Sequence, residues 1–291
     1  MRTVHTYDVF NVGPMTGNQL AVFTGLFGIS DSNMQKLAKE MNYAESVFLG
    51  NEEDGIWPYR IFTPSEELPF AGHPTLGTAF HVMDNFLEGV SEIVLRCHAG
   101  DISVLMRDGI VWMNQQRASF GKKVDPIYAA RVLSLNSDAV DLTFPAQIVS
   151  TGIPFLVLPL ASVQALQKAS HGGPALLNYC AEIGVKGIYA VTASGRDKTH
   201  QISARSMIAE KAVPEDPATG SACGCFSAWA LEHSYPESSE TKKLVVGQGY
   251  EIGRPSLLFT NTRSDQIMIG GKVSLVIRGA LGPSLSKYIN Q

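Results

Sequence analysis

Apolar residues recur along the first half of the chain in short alternating or continuous runs, each bounded by Gly, Asn, Asp or Pro, which is the pattern of strands and turns. The runs predict strands at Val4 to Phe10, Leu20 to Phe23, Ser46 to Leu49, Tyr59 to Phe62, Ile93 to Arg96, Ile102 to Met106 and Ile110 to Met113. Two segments follow a helical period instead. One runs from about Asp31 to Met41, with Ser30 as N-cap and Met34, Leu37, Ala38 and Met41 on one face. The other is expected to start at Pro74, where the ring suits the first helical position, and to carry Leu76, Ala79, Phe80, Met83 and Leu87. Few charges interrupt it on any side, which predicts a helix enclosed by sheet. After Met113 the pattern lapses, and Arg117 to Lys123 reads as a connection.

The second half repeats the order of the first. Gly17-Asn18-Gln19-Leu20-Ala21-Val22-Phe23 is echoed by Gly152-Ile153-Pro154-Phe155-Leu156-Val157-Leu158, a glycine loop feeding an apolar strand. Pro69-Phe70-Ala71-Gly72-His73-Pro74 and its helix are echoed by Pro217-Ala218-Thr219-Gly220-Ser221-Ala222 and the apolar run through Trp229-Ala230-Leu231. Two echoes in one order point to duplication. The expected domains are 1–118 and 119–291, with the last strand able to pack back on the first domain. Mostly strands around one buried helix per half would put the site in a cleft between the halves, where the paired glycine turns and helix N-termini face each other.

Composition narrows the function. The 291 residues suffice for two ordinary domains or one large one, and only the repeat separates these options. With 45% hydrophobic and 17% charged residues the chain is not disordered, and a net charge of -4 offers no basic surface for nucleic acid or anionic membrane. Met1 to Asp8 lacks the apolar stretch of a signal peptide and no later stretch is long enough to span a bilayer, so the protein is expected in the cytoplasm with neither membrane nor nucleic acid as partner. Cys97, Cys180, Cys223 and Cys225 make no disulfide framework, and Cys223-Gly224-Cys225 is too tight for a zinc knuckle, so buried reduced thiols are expected. The histidines show no metal-ligand spacing, and no metal site is expected. Gly247-Gln248-Gly249-Tyr250-Glu251-Ile252-Gly253 has the wrong spacing for a dinucleotide loop and reads as a hairpin turn.

Three places could carry chemistry. Glu45 lies where a helix gives way to an apolar strand: it is either solvated at the sheet edge or held at the mouth of an apolar cleft, where its charged form would be disfavoured and proton transfer near neutral pH favoured. His73 starts the enclosed helix, where the helix dipole disfavours imidazolium; it is either a structural hydrogen-bonding residue or a neutral catalytic partner. In Glu215-Asp216-Pro217-Ala218-Thr219-Gly220-Ser221 the proline pushes Asp216 to extended geometry, and Gly220 with Ser221 opens a helix. The cluster is either an N-capped helix after an Asp-Pro turn or a seat for a substrate carboxylate.

Taken in order, these segments resemble the phenazine-biosynthesis isomerase family, whose halves share the fold of diaminopimelate epimerase. The resemblance rests on Gly17-Asn18-Gln19-Leu20-Ala21-Val22, Ala44-Glu45-Ser46-Val47-Phe48, Phe62-Thr63-Pro64, Pro69-Phe70-Ala71-Gly72-His73-Pro74-Thr75, Glu215-Asp216-Pro217-Ala218-Thr219-Gly220-Ser221 and Gly247-Gln248-Gly249, and spans nearly the whole chain. It implies an α+β protein of two pseudo-symmetric diaminopimelate epimerase-like domains, each a barrel-like mixed β-sheet around a central α-helix. It further implies a cofactor-independent isomerase that moves a proton on a small carboxylic acid, with Glu45 as acid–base group assisted by His73, Asp216 and Ser221. Asn18, Gly72, Gly220 and Ser221 would bind the substrate, and the protein would be a homodimer. Epimerases and racemases of this fold place a cysteine before each glycine turn, whereas this chain has Ala71 and Thr219 there. That departure favours one base over two. The alternatives are a racemase or epimerase that recruits Cys223 or Cys225, and a binding protein that kept the fold without the reaction.

Overall fold

The structure, a computed structural model, describes residues 2–210, 215–236, 243–263 and 266–289; Met1 and residues 290–291, the outer ends of the two expected domains, lie outside them. The chain divides into two compact units, Met1–Met113 with Gly270–Gln291, and Asn114–Ile269. This differs from a single cut at 118/119, because Arg117 to Lys123 is not a plain connection. Ser119–Lys123 is a strand of the second unit, bonded at Phe120 to Val149 and at Lys123 to Gln147. All five of its residues are exposed, so no apolar alternation marked it in the sequence.

In the first unit, β1 (Thr3–Val9), β2 (Asn18–Thr24), β3 (Glu45–Leu49), β4 (Ile56–Phe62), β5 (Glu67–Leu68), β6 (Glu92–Cys97), β7 (Gly100–Arg107) and β8 (Ile110–Asn114) form a mixed sheet with α1 (Asp31–Met41) and α2 (Gly72–Asn85). β2 runs parallel to β3, β4 antiparallel to β3 and β5, and β4 parallel to β6. The returning strand Val273–Ala280 pairs with β1, so the chain's last strand completes its first sheet. Ser30 caps α1 by accepting from the Asn33 amide, and Met34, Leu37 and Ala38 pack with Phe23, Phe48 and Phe62. α2 starts two residues before the expected Pro74, which therefore sits at the third helical position, still within the turn where its missing N–H breaks no helical bond. It packs on β1, β2, β3 and β6, with His73 through Ala79 all buried, but ends at Asn85, short of Leu87.

The second unit continues with β9 (Ser119–Lys123), β10 (Gln147–Ser150), β11 (Pro154–Pro159), β12 (Gly187–Thr192), β13 (Ile202–Ile208), β14 (Glu215–Asp216), β15 (Val245–Gln248), β16 (Ser256–Thr262) and the first three residues of β17 (Ile267–Gly271), and with α3 (Pro126–Val132), α4 (Val163–Lys168), α5 (Pro174–Ile183) and α6 (Gly220–Glu232). Its pairings repeat those of the first unit. β11 is parallel to β12, β13 antiparallel to β12 and β14, and β13 parallel to β15. α6 packs on β10, β11, β12 and β16, with Phe226 and Trp229 fully buried. Among the described residues no helix is long and apolar enough to cross a membrane.

The registers make the duplication residue-specific. Phe62 faces Glu67 in the first unit, as Met207 faces Glu215 in the second. Following the ladders outward from that match, Ser46 falls on Ile188 and Ala21 on Leu156. Glu45 therefore corresponds to Gly187, and the glycine loop at Gly17 to that at Gly152. Likewise Leu68 corresponds to Asp216, Ala71 to Thr219, and His73 to Ser221.

Candidate active site

In the first unit the strand order places Glu45 at the head of β3, three residues after Asn42 ends α1 in the left-handed conformation. Its register against Leu20 of β2 brings its side chain beside the first turn of α2. Glu45 Oε2 lies 3.4 Å from His73 Nε2, with the Glu45 side chain 17% exposed and His73 5%. His73 Nε2 also lies 3.3 Å from the Gln19 carbonyl oxygen, and Nδ1 lies 3.2 Å from Asn18 Nδ2. Nε2 thus faces two oxygens and Nδ1 an amide donor, which assigns the proton to Nε2 of a neutral ring. Burial pushes the His73 imidazole down to about 3, against the Gln19 carbonyl, which pulls it up. Burial rather than the helix dipole is the leading cause. His73 is therefore a neutral ring whose Nε2–H bonds the Gln19 carbonyl and lies 3.4 Å from the Glu45 carboxylate, and Asn18 fixes its orientation.

In the second unit the turn between β14 and α6 carries the remaining candidates. Thr219 Oγ1 donates to Asp216 Oδ2 at 2.6 Å. Gln248 Nε2 donates to the Asp216 carbonyl at 2.7 Å and to Thr219 Oγ1 at 3.1 Å, while Gln248 Oε1 accepts from Tyr189 at 3.1 Å and from the Thr219 amide at 3.3 Å. Gln248 is fully buried. The Gly247 to Gly253 segment is the hairpin turn its spacing indicated, and it also delivers the Gln248 amide to the Asp216–Thr219 turn. Gly249 has φ +80°, and a Cβ there would lie 2.6 Å from the Pro217 carbonyl oxygen, so only glycine lets the hairpin close on the turn.

Each glycine turn is held by a matching Arg–Glu pair. Arg60 donates to both carboxylate oxygens of Glu67 at 2.7 and 2.6 Å, and Arg205 to both of Glu215 at 2.9 and 2.6 Å. The second pair is the more buried, with side chains 8% and 9% exposed against 20% and 26% for the first. Arg205 Nη1 also donates to the Leu166 and Gln167 carbonyls at the end of α4. Neither α2 nor α6 has a side-chain cap at its N-terminus, so the first amides of both helices are left to other acceptors.

The structure thus gathers Asn18, Glu45, Gly72 and His73 in the first unit and Asp216, Gly220 and Ser221 in the second. Sequence reasoning missed Thr219, Gln248 and the two Arg–Glu pairs. The repeated Glu67-Leu68-Pro69 and Glu215-Asp216-Pro217, each downstream of an arginine, carried a signal for the pairs. Cys180, Cys223 and Cys225 are buried free thiols as expected, whereas the free thiol Cys97 is only half-buried. Burial pushes Cys223 up to about 12 and Cys225 up to about 11, so neither is a thiolate near neutral pH. Among the described residues no three His, Cys, Asp or Glu side chains converge as metal ligands.

A family model described as phenazine biosynthesis-like protein matches residues 7–279. The chain belongs to the phenazine biosynthesis-like family. Within it, the trans-2,3-dihydro-3-hydroxyanthranilate isomerase of Pseudomonas chlororaphis is 32% identical over 274 residues, covering 89% of this chain and 91% of the relative. The Bacillus anthracis phenazine biosynthesis protein of the PhzF family superposes with a TM-score of 0.86 at 22% identity, over 97% of this chain and 99% of that one. A hydroxyproline epimerase of Agrobacterium vitis shares the fold at a TM-score of 0.57 and 9% identity, over 97% and 94% of the two chains. The α+β, diaminopimelate epimerase-like architecture is therefore that of the phenazine biosynthesis-like family, and family membership places the chain among isomerases.

Proposed function

We propose that the protein is a cofactor-independent isomerase that takes a proton from one carbon of a small conjugated carboxylic acid and returns it to another, with Glu45 as the single acid–base group. His73 donates its Nε2 proton to the carboxyl group or substrate, Asp216 assists, and Asn18, Gly72, Gly220 and Ser221 bind the substrate, its carboxylate accepting from helix N-terminal amides. The observation that carries this reading is the pairing of Glu45 with a neutral, buried His73 at 3.4 Å while the corresponding position in the second unit is Gly187. A Cβ at Gly187 would lie 2.3 Å from the Met207 carbonyl oxygen, so no side chain fits there. At this position duplication has left a carboxylate in one half only, which suits one base that both removes and redelivers the proton.

The names of the relatives support this substrate class, and the test uses trans-2,3-dihydro-3-hydroxyanthranilate with related cyclic diene acids. In deuterated water the wild type should isomerise such an acid with solvent deuterium at the receiving carbon. Glu45→Gln should retain the fold and ligand affinity but lose turnover by roughly 10² to 10⁴-fold. Undiminished turnover in that variant would end the proposal. The same reading makes the protein a cytoplasmic homodimer, which sedimentation would show as twice the chain mass.

A further inference from the structure

Thr219 stands at the N-cap of α6, where a threonine ordinarily turns its hydroxyl inward to accept from the second or third helical amide. Here it makes no such cap. Its hydroxyl donates instead to Asp216 Oδ2 at 2.6 Å, within the short range of charge-assisted O–H···O bonds. The direction of that bond is forced. Gln248 Nε2 occupies a lone pair of Thr219 Oγ1 at 3.1 Å, so the single hydroxyl hydrogen is directed to the carboxylate. The amide is fixed in turn, because Gln248 Nε2 also donates to the Asp216 carbonyl while its Oε1 accepts from Tyr189. Tyr189 and Gln248 are fully buried and Thr219 is 7% exposed, so water does not compete along this line.

We infer that Thr219, oriented by Gln248, is a positioning residue for Asp216: its hydroxyl sets the rotamer of the Asp216 carboxylate and, by pointing there, leaves the first amides of α6 open to an anionic substrate group. The matched residue of the first unit, Ala71, has no hydroxyl and its neighbour at the aspartate position is Leu68. The device therefore accompanies the carboxylate and is absent where the carboxylate is absent. This inference rests on the assignment of Asp216 to the site.

Thr219→Val keeps the shape and removes the hydroxyl, and Thr219→Ser restores it. Crystal structures of the three proteins should show the Asp216 carboxylate in a new rotamer in Thr219→Val, with Gln248 and α6 unmoved, and the wild-type rotamer in Thr219→Ser. With trans-2,3-dihydro-3-hydroxyanthranilate, kcat should fall by roughly ten- to a hundredfold in Thr219→Val with little change in KM or melting temperature, and recover in Thr219→Ser. If Thr219→Val does not fold, Thr219→Ala serves the same comparison. An Asp216 carboxylate that keeps its position without the hydroxyl overturns the inference, as does a kcat that the valine leaves unchanged. Glu45→Gln separates the two readings: retained turnover there defeats the proposed reaction, whereas a dead Glu45→Gln beside a fully active Thr219→Val defeats only the role of Thr219.

Discussion

Two buried imidazoles of the first unit illustrate how environment sets the behaviour of a residue. Burial holds both His73 and His81 down to about 3, well below the ordinary histidine value of 6.5. His81 shares a 2.6 Å hydrogen bond with Tyr7 through Nδ1, while its Nε2 is buried with no hydrogen-bond partner among the described residues. Because the folded value is depressed, the unfolded chain binds more protons than the folded one between about pH 6.5 and pH 3. Stability contributed by each neutral ring is therefore full above that window and declines as the pH falls through it. Each should lower unfolding free energy by about 2 kcal/mol between pH 7 and pH 5. Urea titrations at the two pH values should show a smaller loss for His81→Gln than for the wild type; an identical loss would mean that the ring is already charged. Near neutral pH no inflection in the activity profile should belong to His73.

At the level of elements, the two Arg–Glu pairs clamp together the two strands that precede each central helix, so that each glycine turn starts from a fixed strand end. Their different burial predicts different consequences. Arg205→Leu leaves Glu215 charged and enclosed, and should destabilise the protein by about 3–5 kcal/mol. Arg60→Leu, at the more exposed pair, should cost about 1 kcal/mol. The double variant Arg205→Leu with Glu215→Leu should recover most of the loss, since it removes the stranded charge together with its partner. Denaturant midpoints of the four proteins decide this, and equal effects at the two arginines would refute the argument from burial.

For the whole molecule, the important fact is an asymmetric duplication. The same ladder of parallel and antiparallel pairings is built twice, yet Glu45 is matched by Gly187, Asp216 by Leu68 and His73 by Ser221. A two-thiol reaction has no thiol at either turn, because Ala71 and Thr219 occupy those positions, and Cys223 and Cys225 are buried inside α6. Replacing both cysteines with alanine should leave turnover within about threefold of the wild type, since neither thiol ionises near neutral pH. Loss of solvent deuterium exchange in that double variant would restore the racemase alternative.

Local patterning was enough for the periodic parts: the strands of the first half, the capped helix Asp31–Met41, the enclosed helix after Gly72 and the echo between the two glycine turns. These are legible because side-chain periodicity, capping and turn chemistry act between near neighbours. It also singled out Glu45, His73, Asp216 and Ser221 as residues with chemistry to offer. Their surroundings come from folding. The exposed strand Ser119–Lys123, the return of Val273–Ala280 to the first sheet and the reach of Gln248 to the Asp216 turn join residues far apart in the chain. The neutrality of His73 belongs to the same class, because desolvation depends on which strands and helices close over a ring. Hydrogen bonding and burial are set by distance in space, and only the folded chain fixes those distances.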